Sequence, residues 1–147
     1  MKPLIAFLAA SVLSCQAGLS DLEALSLIES GGNDAAVGDA GEVSRYQILP
    51  KVWRTYSRSA DYRNPWLSRE VARQHLNFLL AKFQREAGRH PHDFDLYVMW
   101  NAGINYYRRL GFDARKVHRL IRERAERFSN LKQYLPPPHT LDQASVR

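Results

Sequence analysis

Glu29 is the residue in this chain best placed to do chemistry. It ends a short periodic run and is followed directly by Ser30, Gly31 and Gly32, and Tyr46-Gln47-Ile48 comes soon after. At about 100° per residue, Leu22, Leu25 and Glu29 share one helical face. A carboxylate on a face that faces inward is costly unless it is paired or protonated. Burial raises the proton affinity of such a group and can make it a general acid near neutral pH. The pattern alone leaves open a plainer reading, a surface glutamate at a frayed helix end.

The elements that must position Glu29 are almost all helical. Residues 20–30 predict a helix with a capping box, Ser20 at the N-cap and Glu23 three residues on, stopped by the Gly31-Gly32 pair. A Gly- and Asp-containing loop covers 33–43, with room for a short hairpin within 33–48. Pro50 suits the first turn of a short helix to about Ser57. Residues 61–67 read as a turn around Asn64-Pro65, and a long helix with a Val71, Leu76, Leu79, Leu80, Phe83 stripe runs from Ser68 to Gly88. Helices over 93–102 and 104–110 follow. Asp113 is expected to cap a last amphipathic helix with Val117, Leu120, Ile121, Phe128 and Leu131 inward. Pro136-Pro137-Pro138 should end it and open a flexible tail over 136–147. The fold class is mainly α, with no internal repeat.

Three segments in order, Glu29-Ser30, Ser44-Arg45-Tyr46-Gln47 and Met99-Trp100-Asn101-Ala102-Gly103, resemble the motifs of the lysozyme-like superfamily. The likeness is closest to the SLT-type lytic transglycosylases and secondary to goose-type and invertebrate-type lysozymes. It spans about residues 22–131. Each motif is short; their order and spacing carry the resemblance. It implies a lysozyme-like helical domain cleaving peptidoglycan glycan strands at the MurNAc-GlcNAc β-1,4 bond, with Glu29 as acid and then base. It also implies substrate contacts from Ser30, Tyr46, Gln47, Trp100 and Asn101. The amides of Gln47 and Asn101 both donate and accept, as sugar hydroxyls require. The rings of Tyr46 and Trp100 could stack on sugars, although both suit a core equally as residue types. Ser44 stands where the family usually has Gly, Arg45 is bulkier than usual, and Trp100 replaces Tyr, so the groove's shape and subsite preference can differ.

Ordinary glycosidases use two carboxylates. By the resemblance, a lytic transglycosylase needs one, because the substrate's N-acetyl group assists and the muramyl 6-hydroxyl closes an anhydro ring in place of water. Asp34, Asp39 and Glu42 are the candidates for a second acid, with Asp39 foremost. Two alternatives accompany the main reading: a hydrolytic lysozyme using Glu29 plus Asp39, and a non-catalytic glycan-binding or wall-assembly protein that keeps the fold.

Other chemistries lack their residues. The five histidines show no metal-ligand spacing, so no metal and no cofactor are expected. There is no Gly-rich phosphate loop, and Ser30 has no evident His and Asp partners for a triad. Residues 115–127 are rich in arginine, but pairs at i,i+4 (Arg119-Glu123 and Arg122-Glu126) point to a solvated surface, and nucleic acid is not an expected partner.

Residues 1–17 read as a secretory signal peptide: Lys2, an apolar stretch over 3–13, then small residues before Gly18. The expectation is an exported, monomeric domain over 18–135, periplasmic or extracellular, with no transmembrane segment. Val12-Leu13-Ser14-Cys15 also resembles a lipoprotein box, but Leu13 is uncommon there, which favours simple secretion over a lipid anchor at Cys15. Cys15 is the single cysteine, so no disulfide is expected in the domain. The formal charge of +6 suits an anionic polymer as partner.

Overall fold

The computed structural model describes residues 18–133, and they form a mainly helical fold with no named strand among them. The expected signal peptide, Cys15 and the Pro136–Pro138 tail lie outside the described residues. Six α-helices follow in order: α1 (Asp21–Ser30), α2 (Pro50–Tyr56), α3 (Pro65–Ala87), α4 (Asp93–Ala102), α5 (Ile104–Arg109) and α6 (Arg119–Gln133), with one 3-10 turn, Ala114–Lys116, between α5 and α6. None of them is long and apolar enough to cross a membrane.

The capping box of α1 forms as expected. Ser20 accepts from the Glu23 backbone N–H, and Glu23 Oε2 accepts from the Ser20 N–H at 2.9 Å. Gly31 takes the left-handed conformation, and the N–H groups of Gly31 and Gly32 close the helix onto Leu27 and Ser26. The long helix starts earlier than the sequence reading placed it. Asn64 is its N-cap, accepting from the Leu67 N–H at 3.0 Å, and Pro65 fills the first helical position. A dipeptide read as a turn is therefore a helix start. The last helix is also corrected: Asp113 caps only the 3-10 turn, and Val117 then turns extended before α6 begins. That break lets the Val117 side chain enter the core. In place of a hairpin, the 33–48 loop holds two isolated antiparallel bridges, Val37–Val43 and Val43–Ile48.

α4 is the centre of the fold. Asp95, Leu96, Tyr97, Val98 and Met99 are consecutive and buried, as befits a helix packed on several sides by α3, α5 and α6. α1 lies against α3 and α6, which brings the C-terminal end of α1 near that of α4. Lys132, near the end of α6, fastens this arrangement: its ammonium reaches Asp21 and Asp93, in the first turns of α1 and α4, at 2.5 Å each. Gly103 separates α4 from α5 at φ 82°, ψ 148°, a conformation open essentially to glycine alone. The glycine of the third motif thus serves to turn the chain.

Candidate active site

The last turn of α1, the 33–48 loop, the last turn of α4 and the middle of α6 enclose a cleft of about 290 Å³, lined by polar groups. Glu29, Asp39, Gln47, Trp100 and Asn101 all line it, so five of the seven site residues read from the sequence meet there. Gly38, Glu42 and Arg124 complete the wall.

Glu29 is half-buried, and its Oε1 is buried with no hydrogen-bond partner. Loss of hydration pushes its proton affinity up; the nearby Tyr97 hydroxyl and the Arg124 guanidinium oppose that rise, and the charge of Glu42 adds to it. The net effect is a carboxyl held above the ordinary glutamate range, as a general acid requires. Tyr97, buried on α4, has its own hydroxyl pushed up, first by burial and then by Glu29.

Gln47 sits at φ 50° and Ser44 at φ 65°, so the Ser44–Gln47 turn is built on two left-handed residues. The turn closes with the Gln47 N–H donating to the Ser44 carbonyl at 3.1 Å, and the Gln47 side-chain amide caps the same carbonyl at 3.0 Å. Gly38 packs so closely that a Cβ there would collide with Glu42 Oε2 and Gln47 Oε1. Glu42 Oε2 is held by the Ala40 backbone N–H at 3.0 Å. Trp100 is half-buried; its indole N–H donates to the Tyr46 carbonyl at 3.2 Å and thereby ties α4 to the loop.

Two residues expected to touch substrate are placed elsewhere. Tyr46 is 2% exposed and belongs to the core, with Arg69 and Arg45 acting on its hydroxyl. The Ser30 hydroxyl is consumed structurally, donating to the Arg45 carbonyl at 2.8 Å and accepting from the Asn33 N–H at 3.1 Å. It fastens the loop to the end of α1 and does not line the cleft. Of the candidate second acids, Asp34 is removed from play by a two-pronged pair with Arg45, both bonds 2.5 Å. Asp39 and Glu42 both face the cleft, and Glu42 is the one whose charge acts on Glu29.

The sequence reading missed Arg124 and the role of His75. His75 lies on α3 among aromatic groups, not beside charges: Tyr56 Oη is 3.1 Å from its Nδ1, and the Trp100 ring is 5.3 Å away. Burial pushes its proton affinity down to about 4, so it backs Trp100 as a neutral ring. Only the i−4, i−3 and i+4 spacing of His75 with Val71, Ala72 and Leu79 hinted at an inward face. The expected Arg122-Glu126 pair gives way to bonds from the Arg122 guanidinium to the Arg115 and Val117 carbonyls, at 2.7 and 3.0 Å, which cap the extended break before α6. Among the described residues, no group of three or more His, Cys, Asp and Glu side chains is placed to hold a metal ion. Comparisons with protein-family models, with curated proteins and with solved structures give no match to this chain.

Proposed function

We propose that the protein cleaves the β-1,4-linked glycan strands of peptidoglycan as a lytic transglycosylase, with Glu29 as its acid and base. The observation that carries this reading is the Glu29 carboxyl: half-buried, one oxygen unpartnered, its proton affinity raised, at the wall of a polar cleft. Breaking a glycosidic bond requires a proton on a poor leaving oxygen while positive charge develops at the sugar carbon. Glu29 supplies that proton. The N-acetyl carbonyl of the substrate covers the cationic carbon, and the Glu29 carboxylate then takes the proton of the muramyl 6-hydroxyl as its oxygen closes the anhydro ring. Asn101 offers a paired donor and acceptor to the sugar hydroxyls and amides, and Gln47 offers the amide oxygen and the one N–H that the Ser44 carbonyl leaves free.

Asp39 and Glu42 in the same cleft favour a second reading, hydrolysis by two carboxylates. Product analysis separates the two. Purified peptidoglycan incubated with the full chain should release fragments ending in 1,6-anhydromuramyl groups. Free reducing ends would assign hydrolysis instead, and intact strands would remove the enzymatic reading.

A further inference from the structure

The cleft does not stop at Asn101. Asn101 and Arg124 line both it and a second hollow of about 450 Å³ along α6, which adds Leu120, Ile121, Arg127 and Glu123, the last paired with Arg119. A third hollow beyond shares Arg127 and reaches Leu131. Leu120, Arg124, Arg127 and Leu131 follow one another at helical spacing, so one face of α6 forms a wall leading away from Glu29. This corrects the expectation that Leu120 is inward; it is 56% exposed.

The arginines near this wall divide into two kinds. Arg115 pairs with Asp113, Arg119 pairs with Glu123 at 2.8 Å, and Arg122 is held by two carbonyls. Arg124, which also lies by the Tyr97 hydroxyl, and Arg127 are exposed toward the groove and form no ion pair with a carboxylate among the described residues. A cation at Arg124 stabilises ionised Glu29 and so works against the acid the cleft requires. An anion placed against Arg124 would remove that opposition.

We propose that Arg124 and Arg127 form an anion subsite that takes a carboxylate of the peptide stem carried by a glycan strand seated at Glu29. This deepens the peptidoglycan reading and rests on it. The subsite makes substrate charge part of recognition: a stem carboxylate binds the guanidinium in a forked pair and screens it from Glu29, whose other charged or titratable neighbours are Tyr97 on α4 and Glu42 and Asp39 in the loop. Strands bearing acidic stems are then both bound and cut in preference to uncharged ones.

The test compares soluble stem-bearing glycan fragments with the same fragments after their stem carboxylates are converted to amides, and with strands stripped of stems. Cleavage is read as kcat/KM for the full chain, and binding is read on the Glu29→Gln variant. The wild type should favour the carboxylate form by roughly 10-fold, the low end for a hydrogen bond to a charged group. Arg124→Gln should erase that preference, and Arg124→Lys should keep part of it. Equal treatment of carboxylate and amide forms by the wild type, or an equal loss on both in Arg124→Gln, overturns the subsite. So does stem-free glycan that is bound and cut as well as the carboxylate form. If no substrate is cut, the enzymatic reading fails, and binding decides the subsite: carboxylate-dependent binding lost in the Glu29→Gln, Arg124→Gln double variant supports it, and binding indifferent to the carboxylates overturns it.

Discussion

At the scale of single residues, Glu29 sets activity against stability. Its folded-state proton affinity lies above the unfolded value. The folded chain therefore holds a proton that the unfolded chain has already released, and stability falls as pH rises from the ordinary glutamate range through the raised value. Glu29→Gln escapes that cost. We expect it to lower peptidoglycan cleavage by at least about 10²-fold, the usual contribution of a placed general acid. At neutral pH its Tm should exceed that of the wild type, and the difference should shrink as pH falls toward 4; thermal melts across pH check both signs. A variant less stable than wild type at neutral pH would contradict a carboxyl whose proton affinity is raised by burial. The neighbours of Glu29 give a second expectation. The acid works only while protonated, so the rate should fall as pH rises. Glu42→Gln removes a like charge and should move that fall to lower pH; Arg124→Gln removes an opposing charge and should move it to higher pH. Paired pH–rate profiles shifted in the same direction would refute this electrostatic picture of the cleft.

At the scale of elements, much of the helical frame was legible because its signals are local. The box Ser20–Glu23, Pro50 at a helix start and Gly88 at a helix end each act within one turn of chain. Asn64-Pro65 misled because the same dipeptide suits a turn or a helix entry, and only the Asn64 side chain bonded to the Leu67 N–H distinguishes them. The break at Val117 was hidden for a different reason: its carbonyl is satisfied by Arg122, a contact that periodicity does not encode. In the site, Glu29, Gln47 and Asn101 could be singled out by type and motif, whereas the burial of Tyr46 depends on which face the Ser44–Gln47 turn presents. That turn yields its own prediction. Ser44 is buried at φ 65°, where an L side chain is strained and a β-branched one more so. Ser44→Gly should change stability by less than about 1 kcal/mol, the strain relieved being offset by the freedom glycine loses on folding. Ser44→Val should destabilise by about 2 kcal/mol or more and lower activity with it. Urea unfolding of the two variants is the measurement, and equal stabilities would remove the left-handed assignment.

At the scale of the whole molecule, the fold depends on a polar group in its centre. Asp95 is 3% exposed on α4, the helix that also carries Trp100 and Asn101 to the cleft. It accepts two bonds from the Arg89 guanidinium at 2.6 and 2.8 Å, one from the Tyr107 hydroxyl at 2.6 Å and one from the His92 backbone N–H at 2.8 Å. One carboxylate thus joins the start of α4 to the segment before it and to α5. Burial alone would raise its proton affinity; the bonds from Arg89, Tyr107 and the backbone outweigh burial and hold it below the ordinary aspartate value. A depressed folded-state value contributes stability that is complete above the unfolded value and is lost as pH falls through the folded one. Asp95→Asn keeps the shape but loses the charge that satisfies Arg89 and Tyr107 together. Because Arg89 is partly in water, its loss should cost about 3 kcal/mol at neutral pH, the lower end for breaking a buried charged pair. The gap between variant and wild type should stay constant through the neutral range and close only in strong acid, below the ordinary aspartate value. Denaturant melts at neutral pH and near pH 2 measure it, and a gap that closes already between pH 7 and 5 would assign the stabilisation to some other group. Since Asp95 anchors α4 at the end opposite the cleft, the folded fraction of Asp95→Asn should still cleave substrate at the wild-type rate, which separates support of the fold from the chemistry at Glu29.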